Sequence, residues 1–177
     1  MTRPPALILC AALLFEGASL GGCGLHPLYA GGEAGPVASR LSVIAVSPIP
    51  DRSGWLVRNA LLERLGAERS AGATYRLEVE LDDNISGFGI RGDSATTRER
   101  RTLRARYRLV AIATGETLLD ATAGADAGID VVSSEYATVA AEQTASERLA
   151  KVLADQIVAR LGLYLLRLGE PGAAAAR

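Results

Sequence analysis

The sequence predicts an α+β fold: a two-layer sandwich with two helices packed on one face of a four-stranded mixed sheet, in the order β-α-β-β-β-α. Three observations lead there. Residues 75–82 and 102–109 alternate apolar and charged side chains with a period of two, the pattern of half-buried strands. Residues 51–67 and 133–167 space their apolar side chains at helical intervals instead. Glycines and prolines separate these segments. Helices and sheet each have one apolar side to bury, and packing them together satisfies both.

The elements follow in order. Residues 41–46 (Leu41-Ser42-Val43-Ile44-Ala45-Val46) are a short β-type run closed by Pro48 and Pro50. Asp51 or Ser53 caps a helix to about Ala67, with Trp55, Leu61, Leu62 and Leu65 on its apolar side. Tyr75, Leu77, Val79 and Leu81 then alternate with Arg76, Glu78, Glu80 and Asp82. Residues 83–97, with Gly87, Gly89 and Gly92, read as a long, flexible hairpin tip. Leu103, Ala105, Tyr107 and Leu109 face one way in the next strand, and Arg104, Arg106 and Arg108 the other. After a turn at Thr114-Gly115, Leu119, Ala121, Ala123 and Ala125 continue the apolar face, and their small size lets a helix lie close. Ser133 or Ser134 opens the last helix, whose apolar side carries Val139, Leu149, Val152, Leu153, Ile157, Leu161, Tyr164 and Leu165.

Side-chain parity constrains that turn. Odd-numbered residues face the helices on both sides of it, so paired residue numbers must sum to an even number. A two-residue turn joining Ala113 to Glu116 breaks the rule and sends one apolar face to water. The turn therefore has an odd residue count or carries a bulge near Gly115. Trp55, Tyr107, Leu153 and Ile157 are expected to build the core.

The N-terminus belongs to a different object. Arg3 precedes an apolar run at residues 6–15, too short for a bilayer span, which needs roughly 20 residues. Leu20-Gly21-Gly22-Cys23 follows, and Cys10 leaves with the signal, so Cys23 has no disulfide partner. Small residues before a lone cysteine at this distance form a bacterial lipobox, whose thiol and freed amine are acylated. The expected organisation is a lipoprotein signal peptide at 1–22, a lipidated tether at 23–39, the α+β domain at 40–168 and a disordered tail at 169–177. Gly24 after the cysteine suits forwarding to the outer membrane. About 155 of the 177 residues remain after cleavage, enough to fold without a disulfide or metal.

Catalytic signatures are lacking. The one histidine, His26, lies in the tether beside the expected lipid anchor, with no free cysteine or second histidine to share a metal ion. No P-loop, dinucleotide fingerprint, nucleophile elbow or zinc-protease motif occurs, and Gly87-Phe88-Gly89-Ile90-Arg91-Gly92 lacks the helix that phosphate cradling requires. Neither an enzyme nor a cofactor is expected. A net charge of −1 gives no field for nucleic acid. Basic clustering remains. Arg104, Arg106 and Arg108 would lie across from Glu78, Glu80 and Asp82 in a hairpin. Arg91, Arg98, Arg100 and Arg101 exceed the nearby acids, and both anion contact and simple solvation stay open for them.

Cys23-Gly24-Leu25-His26-Pro27-Leu28-Tyr29 resembles the start of the lipopolysaccharide-assembly lipoprotein family LptE, in its alphaproteobacterial form. Three further stretches are similar to that family in the same order. They are Asp51-Arg52 with Arg58-Asn59-Ala60-Leu61, Ser94-Ala95-Thr96-Thr97-Arg98 leading into Tyr107-Arg108-Leu109, and Ser134-Glu135-Tyr136-Ala137-Thr138. The resemblance implies a non-enzymatic translocon subunit, lipid-anchored in the outer membrane at Cys23. It implies plugging of the LptD β-barrel and assistance to lipopolysaccharide on its way to the outer leaflet. It also places a lipopolysaccharide-contacting basic residue at Arg91, while a second basic position has no counterpart among residues 136–143. A lipoprotein accessory of an ABC-type phospholipid transporter is the alternative reading; it would lack the opening motif and the Ser94–Arg98 stretch.

Overall fold

The computed structural model describes residues 35–66, 72–90 and 96–168. The segments expected to be signal peptide and tail, most of the expected tether, and Cys23, His26 and Arg91 lie outside these residues. The elements are α1 (Pro36–Leu41), β1 (Ile44–Val46), α2 (Asp51–Leu65), β2 (Tyr75–Ile90), β3 (Thr96–Ala111), β4 (Thr117–Asp130) and α3 (Glu135–Leu168). The four strands stand in sequence order, with β1 parallel to β2 and the other pairs antiparallel. The expected mixed sheet and two-layer α+β architecture are observed.

The short helix α1 is an addition to that expectation. Proline at its start supplies a preset φ and withholds an N–H that would have no partner there. Val37 and Leu41 enter the core, so Leu41 ends this helix and does not start a strand. Arg40 Nη1 donates to the Leu165 carbonyl at 2.6 Å. That carbonyl belongs to the last turn of α3, where helical partners run out and a cation is favoured.

The buried stripe of α2 is Gly54, Val57, Ala60, Leu61 and Leu65. Trp55, expected in the core, is instead 62% exposed. The correction has a steric cause: α2 starts so close to the preceding chain that only Gly54 fits against the Ile49 backbone, and this rotation turns Trp55 outward. No side chain caps the helix start, contrary to the role expected for Asp51 or Ser53. Gly66 ends it in the left-handed region with φ 64, donating its N–H to the Leu62 carbonyl.

On the sheet, Leu77, Val79, Leu103, Ala105, Tyr107 and Leu109 are buried toward the helices. Leu153, Ile157 and Leu161 of α3 are fully buried above them. Burying each such side chain contributes roughly 1.5–3 kcal/mol. Tyr107, Leu153 and Ile157 are core residues as expected. Val139 and Val152 are not: they are 54% and 40% exposed.

Residues 83–97 also need correction, because most of them are sheet. Ser86 pairs with Arg100, Phe88 with Arg98 and Ile90 with Thr96. Glycine lowers strand propensity locally, but ladder hydrogen bonds from the facing strand override it. Of residues 83–97, only 91–95 lie outside the described residues.

The turn into β4 obeys the parity argument. Ala111 N–H donates to the Glu116 carbonyl at 2.9 Å, enclosing a four-residue loop, and their numbers sum to an odd value. A register shift between Leu109 and Val110 follows: Val110 pairs with Thr117, but Leu109 pairs with Leu119. Leu118 is the extra residue. From there every partner sum is even, and the apolar faces of β3 and β4 coincide.

Candidate binding surface

The even-numbered residues of β2, β3 and β4 form the sheet face away from the helices. Pairing places Glu78 opposite Arg108, Glu80 opposite Arg106 and Asp82 opposite Arg104, as the sequence suggested. The ion pairs run both directly across and diagonally, and one reaches the next strand. Arg108 Nη2 meets Glu80 at 2.8 Å and Glu78 at 3.7 Å. Arg106 binds Asp120 with two hydrogen bonds, at 3.1 and 2.7 Å. This contact raises the Arg106 pKa and lowers that of Asp120, chiefly through the shared hydrogen bonding. Arg104 has no ion pair among the described residues; its guanidinium extends over Gly124, where an added Cβ would come within 3.1 Å of Nη1.

The arginines singled out from sequence separate by parity. Arg98 and Arg100 lie on the outer face at the far end of the hairpin. Arg98 Nε reaches Asp130 at 3.1 Å, both side chains being largely exposed. The Arg100 guanidinium stacks over the Phe88 ring, 5.4 Å from its centroid. Arg101 faces the helices. It grips Asp83 through two hydrogen bonds, at 2.8 and 2.6 Å, and donates to the Glu142 carbonyl of α3 at 3.3 Å. Its side chain is 16% exposed and that of Asp83 17%. Hydrogen bonding to Asp83 raises the Arg101 pKa above its ordinary value. Arg101 thus ties β2, β3 and α3 together, whereas Arg98 and Arg100 stand exposed on the outer face, one beside Asp130 and the other over Phe88.

Phe88 escaped the sequence reading. Its position between glycines marked it only as part of a tip, although an aromatic side chain three residues before Arg91 was a usable signal. It is 41% exposed. Together Phe88, Arg100 and Arg98 offer one apolar ring beside two cations, a surface suited to an amphipathic anion. Among the described residues no group of His, Cys, Asp and Glu is placed to hold a metal ion. None of the described helices is long and apolar enough to cross a membrane.

Comparison with known proteins points in one direction. The family model described as LptE, lipopolysaccharide assembly, matches residues 41–161. A crystal structure of a protein described as a lipoprotein from Caulobacter crescentus is similar at 25% identity. Its TM-score is 0.65 over 77% of this chain and 99% of that one. Rare lipoprotein B from Shewanella oneidensis shares the fold at 12% identity and TM-score 0.56, covering 72% of this chain and 98% of that one. A minor lipoprotein from Acinetobacter baumannii shares it at 16% identity and TM-score 0.55, over 68% and 90%. No curated protein sequence matches the chain.

Proposed function

The chain belongs to the LptE lipopolysaccharide-assembly family, and from that premise we propose that it acts as a non-enzymatic envelope lipoprotein, anchored in the outer membrane by acylated Cys23 and seated as a plug in the LptD β-barrel. The family match supports lipopolysaccharide assembly; the phospholipid-transport alternative finds no support in the comparisons. A barrel lumen is polar, because its strands alternate apolar outward and polar inward. A plug must therefore show charge to its surroundings while keeping its own core dry. The observation that carries this reading is the outer sheet face, where the exposed arginines stand in rows over an aliphatic core.

Lipopolysaccharide would be met at the far end of that face. Exposed ion pairs such as Arg98–Asp130 contribute about 0–1 kcal/mol, so Arg98 exchanges its carboxylate for a phosphate at little cost. Arg100 is held by Phe88 and leaves its donors outward. Arg91, three residues after Phe88 in the sequence, is a further cation that this reading assigns to the same group. Arg101 has a scaffolding role in this reading, since removing it would leave Asp83 sequestered without its partner.

Arg98→Glu combined with Arg100→Glu tests the proposal. Loss of one charge-assisted hydrogen bond, worth about 1.5–3 kcal/mol, weakens lipopolysaccharide binding by roughly tenfold or more. The melting temperature should barely move. Arg101→Ala should do the reverse, lowering the melting temperature before it touches binding. Unchanged lipopolysaccharide binding and LptD co-purification in the double reversal would make Arg98 and Arg100 ordinary surface charges.

A further inference from the structure

β4 is an edge of the sheet, and an antiparallel edge strand turns the N–H and C=O of every second residue away from the ladder. At Gly124 both groups are taken by one side chain. Gln156 of α3 accepts from the Gly124 N–H through Oε1 at 3.3 Å and donates to the Gly124 carbonyl through Nε2 at 3.2 Å. A carboxamide presents one donor and one acceptor side by side, as the peptide groups of a neighbouring strand do. Gln156 therefore stands where a fifth strand would stand. By alternation Asp120, Thr122, Asp126 and Gly128 point their backbone groups the same way. Among the described residues, no backbone partner outside the sheet's own ladders reaches them.

There is room beside this edge. An open hollow of about 680 Å³ lies over the outer sheet face, bounded by Glu80, Asp82, Arg104, Arg106 and Thr122, and reaches Gly124 and Gln156 at the edge. Another of about 450 Å³, bounded by Asp120, Ala121, Thr122, Gln156 and Arg160, lies between β4 and α3. They meet at Gln156. Val152, Arg160 and Leu163 share its stripe of α3, being four before, four after and seven after it. Val152 and Leu163 are 40% and 44% exposed, and Arg160 has no ion pair among the described residues.

We propose that the β4 edge is a strand-addition site. An extended segment of a partner protein pairs with β4 between Asp120 and Asp126 and displaces Gln156 from Gly124. Apolar side chains on its inner face rest on Val152 and Leu163, and a carboxylate meets Arg160. Backbone pairing supplies the attraction and the α3 stripe the selectivity, the usual division of labour in strand addition. Displacement is easy because Gln156 is exposed and offers a single pair of hydrogen bonds against a whole ladder. A second copy is a poorer occupant: two β4 edges meeting about Gly124 would set Arg160 against Val152 of the other copy, a cation covered without an acid. The inference does not depend on the lipopolysaccharide reading.

The test uses the full chain in detergent micelles and a blocked nine-residue peptide of alternating valine and threonine with one central glutamate. A second peptide, N-methylated at alternate residues, lacks the donors of one edge. Binding is read from backbone amide shifts at Thr122, Gly124 and Asp126. Gln156→Ala should bind the first peptide about tenfold more tightly than the parent chain. Gly124→Pro removes only an outward N–H and should abolish the shifts at Thr122 and Asp126; Thr122→Pro is the substitute if circular dichroism shows the first variant unfolded. Because one edge keeps its donors, a third peptide N-methylated at every residue completes the control, and it should not bind. Equal binding of the first and third peptides, no tightening in Gln156→Ala, or dimers of that variant in sedimentation without peptide binding would each overturn the proposal.

Discussion

Gly54 lies in the first turn of α2, where an added Cβ would come within 2.7 Å of the Ile49 carbonyl oxygen. Glycine inside a helix ordinarily costs about 1 kcal/mol relative to alanine, so Gly54→Ala on an open surface would stabilise. Here the obstacle is backbone, which cannot swing aside. We expect Gly54→Ala to destabilise by about 1–3 kcal/mol, measured by urea unfolding; a more stable variant would mean that α2 shifts freely. Asp120 offers a test through pH. Its hydrogen bonds from Arg106 hold the carboxyl below its ordinary pKa. A depressed folded-state pKa contributes stability above the unfolded value and loses it as pH falls through the folded one. Carboxyl NMR should show Asp120 titrating below the usual aspartate range, with Arg106→Ala returning it; no return would mean that the pair does not persist in solution. Arginine parity belongs to the same scale: even-numbered Arg98 and Arg100 and odd-numbered Arg101 fall on opposite faces, a distinction already present in period two once the strand is known to extend that far.

Among the elements, α3 bears most on stability. Its buried stripe runs from Ala145 to Leu165, with Leu153 and Ile157 fully enclosed over the sheet. Leu153→Ala should cost about 2–5 kcal/mol, the transfer of the lost methyl groups plus the cavity they leave; a smaller loss by calorimetry would show that the helix settles into the space. The earlier turns of α3 are mostly exposed, which is why Val139, apolar and in register, is not core. Helical spacing reports a face but not where the opposing layer ends. The β3–β4 turn shows the opposite case. Arithmetic on residue numbers required an odd loop or a bulge, and a four-residue loop with Leu118 as the extra residue meets that requirement. The glycine-rich half of the β2–β3 hairpin went the other way, since its order depends on ladder bonds between residues far apart in sequence.

At the scale of the molecule the proposed organisation is a lipid-anchored tether leading to one folded unit. Cys23→Ala should leave the precursor uncleaved or release the chain in soluble form; metabolic acyl labelling that persists in the variant would refute lipidation at Cys23. The domain itself should be indifferent to this change, because α1 joins the core through Val37 and Leu41 and through the Arg40 bond to Leu165, downstream of Cys23.

Alternation, helical spacing and breaker residues determined the element order, the mixed sheet and the two-layer packing, because burial of one face per element leaves few arrangements. Short ordered motifs determined the family resemblance. Tertiary structure decided what local pattern cannot contain: that Trp55 faces outward, that a glycine-rich stretch is a ladder, that Arg101 is tied to Asp83, and that Gln156 covers the β4 edge. Each of these is set by a partner distant in sequence, whether the Ile49 backbone, the facing strand, or a helix laid across the sheet. Hydrophobic period is a property of one segment, whereas steric fit and hydrogen-bond pairing belong to two.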